Sequence, residues 1–229
     1  AVRKANELLD PNRNDNWAYA MGKILCIGDS LTEGAYFGAG MDGAAIEQKY
    51  PYYLGRMLNT EVVNAGVGGY SASDWYIEKA GDYDYTDYDT VIIWLGTNNG
   101  LTDTLDTDVD PFGGYNDFAE TETGYYCRII ETVKDASPDA RIVLMNIFAT
   151  KSDVKTTNET INKIAAKYDL HVIDTKSLSM DKNTDLHAGL KNPHFGKGGN
   201  IAAARLIIRD MGNYFAERPL RCEYGVSTA

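Results

Sequence analysis

The chain has 229 residues, of which 44% are hydrophobic and 24% charged, so it can bury one full core without metal ions or disulfides. Its net charge of −11 argues against nucleic acid or an anionic membrane as a partner, because phosphate groups are bound by basic patches. We expect one domain over residues 21–216, preceded in residues 1–20 by a linker or the edge of a longer protein, and followed by a tail in residues 217–229.

Five short apolar runs alternate with five helical patterns along the chain. The predicted strands are Gly22–Ile27, Glu61–Asn64, Thr90–Leu95, Arg141–Ile147 and Leu170–Ile173. The predicted helices are Ala44–Leu58, Ala72–Lys79, Asp117–Ala136, Lys155–Lys167 and Gly198–Phe215, and Asn116 or Asp117 is expected to cap the third of them. Strands that alternate with helices form a parallel sheet covered on both faces, so this periodicity predicts an α/β fold.

The first predicted strand leads into Gly28-Asp29-Ser30-Leu31, which places a serine hydroxyl at a strand-to-loop junction. Ligands of parallel α/β sheets bind beyond the carboxyl ends of the strands, so Ser30 lies where a nucleophile is expected. The alternative is an ordinary turn, since Gly, Asp and Ser are common turn residues.

Three further segments follow in an order that favours the first interpretation. They are VVNAGVGG at residues 62–69, VIIWLGTNN at residues 91–99 and HFGKGGN at residues 194–200. Together with Gly28 to Leu31 they resemble the SGNH (GDSL-type) hydrolase family, from about Gly22 to about Phe215. The resemblance implies a three-layer α/β/α sandwich with a central parallel sheet of about five strands, the flavodoxin-like SGNH hydrolase fold. It also implies an esterase, lipase or carbohydrate deacetylase activity.

Acyl transfer needs a base beside the nucleophile, and the chain has three histidines. His194 matches the family position of the base, because the segment after it matches the family's loop-to-helix junction. His187 is the alternative base, since it is close to Asp185 in the same loop. His171 lies in an apparent strand and is expected to be structural.

The family usually carries an Asp three residues before the base, where this chain has Lys191. A lysine cannot accept the imidazole N–H, because its ammonium group has donors only. Three explanations stay open: Asp185 orients His194 across a longer loop, a backbone carbonyl orients it in a Ser/His dyad, or His187 is the base. Asp185 is the preferred assignment.

The resemblance assigns the oxyanion hole to the backbone N–H groups of Ser30 and Gly69 and to the side chain of Asn98. Glycine lets the backbone approach a substrate closely, and the Asn amide is a neutral donor. Family members often have Asp after the oxyanion Asn, where this chain has Asn99. That change retains the donor but removes a charge. Each segment alone is also compatible with a turn or a helix cap.

No metal or cofactor is expected. The three cysteines, Cys26, Cys127 and Cys222, lack metal-ligand spacing, and Cys26 is expected to behave as a small buried hydrophobe. An acidic run invites comparison with a calcium loop, but Pro111 stands where such a loop needs Gly, so a solvated loop is the default. The run consists of Asp103, Asp106, Asp108 and Asp110.

The substrate class is inferred from aromatic content. Sixteen tyrosines against six phenylalanines favour polar-edged sites, and therefore carbohydrate over lipid. We expect a serine esterase that removes a short acyl group, acetyl in particular, from a small-molecule or glycan ester. The alternatives are a lysophospholipase or thioesterase acting on lipid acyl esters, and a catalytically weak carbohydrate-binding domain of a larger surface or phage-tail protein. The sequence leaves the oligomeric state, the compartment and the natural ester open.

Overall fold

The computed structural model describes residues 17–34, 49–101, 118–149, 153–179, 186–187 and 193–218. Its centre is a sheet of five parallel strands in the order β2-β1-β3-β4-β5. The strands are β1 (Ile24–Gly28), β2 (Val62–Gly66), β3 (Thr90–Trp94), β4 (Arg141–Met145) and β5 (His171–Ile173). The predicted α/β fold and all five predicted strands are confirmed, with small shifts in their ends.

Helices flank this sheet. They are α1 (Trp17–Ala20), α2 (Ser30–Glu33), α3 (Tyr50–Leu58), α4 (Ala72–Lys79), α5 (Glu122–Ala136), α6 (Val154–Tyr168) and α7 (Lys197–Glu217). Short 3₁₀ segments cover Ala80–Asp82, Tyr85–Asp87 and Lys176–Leu178. In the part of the chain described here, no helix combines the length and the apolar character needed to cross a membrane.

Helix α5 begins later than its periodicity predicts. We expected it to start at Asp117 with a cap from Asn116 or Asp117, but it starts at Glu122. The cap is Thr121, whose side chain accepts a hydrogen bond from the Gly124 N–H and so satisfies a backbone donor of the first turn. Residues 102–117 lie outside the described part of the chain, as do residues 44–48 at the predicted start of α3.

The central strands β1 and β3 are buried along their whole length. A strand covered on both faces has no solvent side, so its sequence is a continuous apolar run rather than an alternating one. Gly28 at the end of β1 pairs with Gly66 of β2 on one side and with Trp94 of β3 on the other. The three strands therefore end at the same level, and the loops after them meet at one edge of the sheet.

The final helix α7 contacts α1, at the start of the described chain, and β5, at the edge of the sheet. Trp17 of α1 stacks on Phe215 with ring centroids 5.9 Å apart, so residues that we expected to belong to a linker pack on the domain. His171 of β5 contacts Asp210 of α7 through Nε2 and Oδ1, which are 2.5 Å apart. Both contacts stabilise the packing of α7.

Candidate active site

Ser30 lies at the junction between β1 and α2, as the sequence predicts for a nucleophile. Asp29 caps α2, because its Oδ1 accepts a hydrogen bond from the Leu31 N–H at 2.9 Å. A Cβ atom at Gly28 would lie 2.0 Å from Thr32 Oγ1, so only glycine allows the chain to turn this sharply from strand to helix. The hydroxyl of Ser30 is thereby presented beyond the carboxyl end of the central strand.

The imidazole of His194 contacts this hydroxyl. Ser30 Oγ and His194 Nε2 are 2.8 Å apart, which is the distance of a hydrogen bond between a nucleophile and its base. His194 is half-buried just before α7, with Gly196 as the helix cap. Burial lowers the pKa of His194, and the nearby His187 lowers this pKa further. A lowered pKa keeps the imidazole neutral and able to accept a proton at neutral pH.

His187 lies elsewhere in the hydrogen-bond network. Its Nδ1 is 3.0 Å from the Pro193 carbonyl oxygen and its Nε2 is 3.0 Å from the Leu178 carbonyl oxygen. It is buried and forms an antiparallel bridge with Phe195. The structure therefore pairs His194, and not the alternative base His187, with Ser30. His187 instead supports the segment that carries His194.

Asp185, the acid preferred for orienting His194, lies outside the described residues. Asp185, the preferred assignment, and Lys191, at the family's usual Asp position, both belong to the part of the loop that is not described. The assignment of Asp185 stays a prediction.

The two other candidate oxyanion donors lie in loops at the same edge of the sheet as Ser30. Gly69 has a φ of +84°, and a Cβ atom placed on it would meet no atom within 4 Å, so there is open space beside its Cα. Asn98 Nδ2 donates a hydrogen bond to the Tyr70 carbonyl oxygen at 3.1 Å. Because an amide nitrogen carries two hydrogens, this bond leaves a second N–H for an oxyanion. The contact also joins the loop of Asn98 to that of Gly69.

Near the candidate oxyanion donors, the structure shows one residue that the sequence patterns did not single out. The carboxylate of Glu122, the first residue of α5, accepts hydrogen bonds from Ser73 and from Asn99, the residue after Asn98. An acidic residue in the first turn is one sign of a helix start in the sequence, but nothing local links Glu122 to residues 23 and 49 positions earlier.

Metal ligation has no support among the residues described. They contain no group of three or more His, Cys, Asp or Glu side chains that could hold a metal ion, and the acidic run at residues 103–110 lies outside them. Cys26 and Cys127 are buried and free, and burial raises the pKa of the Cys26 thiol to about 12. Cys26 is thus the inert hydrophobe that its position in the strand predicts.

Comparison with known proteins confirms the family resemblance seen in the sequence. A model of the GDSL-like lipase/acylhydrolase family matches residues 26–200. No curated protein matches the chain at a significant level.

Solved structures of similar fold include three esterases or lipases. A lipase/acylhydrolase from Enterococcus faecalis is 19% identical, with a TM-score of 0.57 over 85% of this chain and 97% of that one. The psychrotrophic esterase EstA from Pseudoalteromonas sp. is 14% identical, with a TM-score of 0.61 over 85% and 99%. The acetyl xylan esterase AlAXEase is 18% identical, with a TM-score of 0.57 over 82% and 98%. At these identities the likeness is one of fold.

Proposed function

Because the chain belongs to the GDSL-like lipase/acylhydrolase family and is a carboxylic ester hydrolase, we propose that it removes short acyl groups, acetyl in particular, from carbohydrate esters through an acyl-Ser30 intermediate. The observation that carries the proposal is the 2.8 Å contact between Ser30 Oγ and His194 Nε2. A serine hydroxyl is a weak nucleophile until a neighbouring base accepts its proton.

The reaction has two half-reactions. In the first, Ser30 Oγ attacks the ester carbonyl carbon while His194 Nε2 accepts the hydroxyl proton. The tetrahedral intermediate collapses, the sugar alcohol leaves with the proton from His194, and the acyl group stays on Ser30. In the second, His194 accepts a proton from water as the water oxygen attacks the acyl carbon. The acid then leaves, and the proton returns to Ser30 Oγ.

Negative charge develops on the carbonyl oxygen in both half-reactions. The donors for it are the N–H groups of Ser30 and Gly69 and the free N–H of Asn98 Nδ2. One such donor typically contributes about 3 kcal/mol of transition-state stabilisation, because it is already oriented when the charge appears. Three donors on three loops of one sheet edge therefore supply a large part of the rate enhancement.

The choice of carbohydrate depends on aromatic side chains near the site. Tyr50 and Trp75 are fully buried and belong to the core. Tyr70 is half-buried, directly follows Gly69 and donates its hydroxyl hydrogen to Glu78, so its ring is held beside the oxyanion loop. A tyrosine with a fixed polar edge is suited to stack against a sugar ring. The acetyl xylan esterase among the proteins of similar fold also favours this substrate class.

The test is hydrolysis of p-nitrophenyl esters from acetate to octanoate, together with acetylated xylan. We compare the wild type with Ser30→Ala and with the matched control Ser137→Ala, which changes a serine at the far end of α5. Activity that is highest on acetate, present in the control and lost in Ser30→Ala supports the proposal. Highest activity on octanoate would favour a lipid acylhydrolase. Equal rates for the wild type and Ser30→Ala on every ester would contradict a serine mechanism.

A further inference from the structure

We propose that Glu122 is a positioning residue that holds the two loops of the oxyanion hole in register, by binding Ser73 on the Gly69 side and Asn99 on the Asn98 side. This inference rests on the proposed function, because it takes Gly69 and Asn98 as the donors that stabilise the oxyanion. Glu122 itself does not touch the substrate in this scheme.

The geometry of the carboxylate carries the proposal. Glu122 Oε2 accepts the Ser73 backbone N–H at 3.0 Å, and Oε1 accepts the Ser73 hydroxyl at 2.9 Å. The same Oε1 accepts a hydrogen from Asn99 Nδ2 at 3.0 Å. One side chain on α5 therefore binds the start of α4 and the loop after β3 at the same time.

The position of Ser73 explains why a carboxylate belongs there. Ser73 is in the first turn of α4, where backbone N–H groups lack partners within the helix. The helix cap Ser71 and Asp74 satisfy two donors of this turn, and Glu122 satisfies the Ser73 N–H. A negative charge is also favoured at a helix N-terminus by the helix dipole. Since Gly69 lies just before this helix, anchoring Ser73 restrains the Gly69 loop.

The position of Asn99 explains the departure from the family pattern. Asn99 has a φ of +62°, and Gly100 N–H donates to the Asn98 carbonyl oxygen at 2.8 Å, so the chain turns sharply here. An Asp at this position would have no hydrogen to donate to Glu122 and would place a second carboxylate beside it. The charge that family members often carry on this loop is supplied instead by α5.

Asn98 and Asn99 each take part in a connection between the two loops. Asn98 Nδ2 donates to the Tyr70 carbonyl oxygen, which joins the two loops once. The bridge from Asn99 through Glu122 to Ser73 joins them a second time. Two ties between adjacent loops leave little freedom for either donor, and displacement by about 1 Å at a catalytic site can cost about 10²-fold in rate.

The test reverses the polarity of the bridge. Glu122→Gln removes the negative charge and places an amide NH₂ group next to the donors of Ser73 and Asn99. Asn99→Asp places a second carboxylate next to that of Glu122. Each change is expected to lower kcat on p-nitrophenyl acetate about tenfold, with KM changed less than about threefold. Combining the two changes lets the Gln amide donate to the introduced carboxylate, so the double variant should recover most of the loss. Glu159→Gln, at an exposed glutamate of α6, is the matched control with unchanged kinetics.

Two further readouts separate positioning from a general structural role. Thermal unfolding of each variant shows whether the fold is retained. In an Asn98→Ala background, Glu122→Gln should have a smaller effect on kcat than in the wild type, because one of the two donors that Glu122 positions is absent. A wild-type kcat in folded Glu122→Gln, or a double variant no better than either single one, would overturn the inference while leaving the esterase proposal intact. A wild type that hydrolyses no ester would overturn both.

Discussion

Ser30 Oγ and His194 Nε2 lie 2.8 Å apart although 164 residues separate them in the chain. One residue follows the central strand β1 and the other precedes the final helix α7. The contact therefore depends on the tertiary packing that brings the end of β1 next to the start of α7. A proposed catalytic pair that is so far apart in sequence can be tested by substituting each member and the residues around it.

His187 and His194 should behave differently on substitution. His194→Ala removes the proposed base and is expected to lower kcat by at least about 10³-fold, with little change in melting temperature. His187→Ala removes two contacts to backbone carbonyl groups, so its main effect should be a lower melting temperature. Ester hydrolysis and thermal unfolding of both variants check this. Loss of kcat in a fully stable His187→Ala protein, with activity kept in His194→Ala, would reverse the assignment.

Asn98→Ala removes one of the proposed oxyanion donors. We expect kcat to fall about 10²- to 10³-fold while KM changes little, because the donor acts on charge that develops only in the transition state. Steady-state kinetics on p-nitrophenyl acetate measure both constants. Asn162→Ala, at an exposed position of α6, is the control. A change in KM alone would show that Asn98 binds the ground state instead.

The pH dependence of kcat/KM follows from His194. Burial and the nearby His187 lower its pKa below the ordinary 6.5, so the neutral imidazole persists into mildly acidic solution. The acid limb of the kcat/KM profile, which reports the free enzyme, should therefore have its midpoint below pH 6.5. A midpoint above this value would indicate a carboxylate partner for His194 strong enough to outweigh burial.

Asp29 should make stability depend on pH. Burial raises the pKa of its carboxyl from 3.8 to about 6, although the hydrogen bond from the Leu31 N–H lowers it. The folded state then holds this proton more tightly than the unfolded state. The contribution of Asp29 to the free energy of unfolding is therefore greatest below about pH 4 and is lost as pH rises through about 6. The loss is on the order of 3 kcal/mol.

Asp29→Asn keeps an oxygen that can cap α2 but removes this titration. The free energy of unfolding of the variant should therefore rise relative to that of the wild type between about pH 4 and about pH 7. Urea unfolding at the two pH values measures the difference. A difference that does not change with pH would show that Asp29 is not buried as a titrating carboxyl.

Gly66 should not tolerate a side chain. A Cβ atom there would lie 2.2 Å from the Glu33 backbone nitrogen and 2.6 Å from the Thr32 carbonyl carbon, so β2 and α2 would have to separate. We expect Gly66→Ala to destabilise the fold by about 1–3 kcal/mol, as overpacking commonly does. Gly81→Ala is the control, since a Cβ at Gly81 meets no atom within 4 Å. Chemical unfolding compares the two variants, and equal stabilities would contradict the close packing.

Local sequence patterns were sufficient to predict most of the strands and helices. The apolar runs of β1 and β3 predict buried parallel strands, because a strand covered on both faces needs apolar residues at every position. The helix Ala72–Lys79 is predicted to the residue. The start of α5 was predicted too early, because its first turn is set by the cap, in which the Thr121 side chain accepts a hydrogen bond from the Gly124 N–H, and not by hydrophobic periodicity.

The amino-acid sequence by itself determined the fold class, the family and the small set of residues that could carry the chemistry, because periodicity and short motifs are properties of neighbouring residues. The segment after His194 already favoured it as the base, but only the tertiary structure shows that its imidazole, and not that of His187, contacts Ser30. Only the tertiary structure shows that Glu122 lies between Ser73 and Asn99. These choices depend on where distant loops meet at the edge of the sheet. Strand order and helix packing determine which loops come together, and both depend on residues that are far apart in the chain.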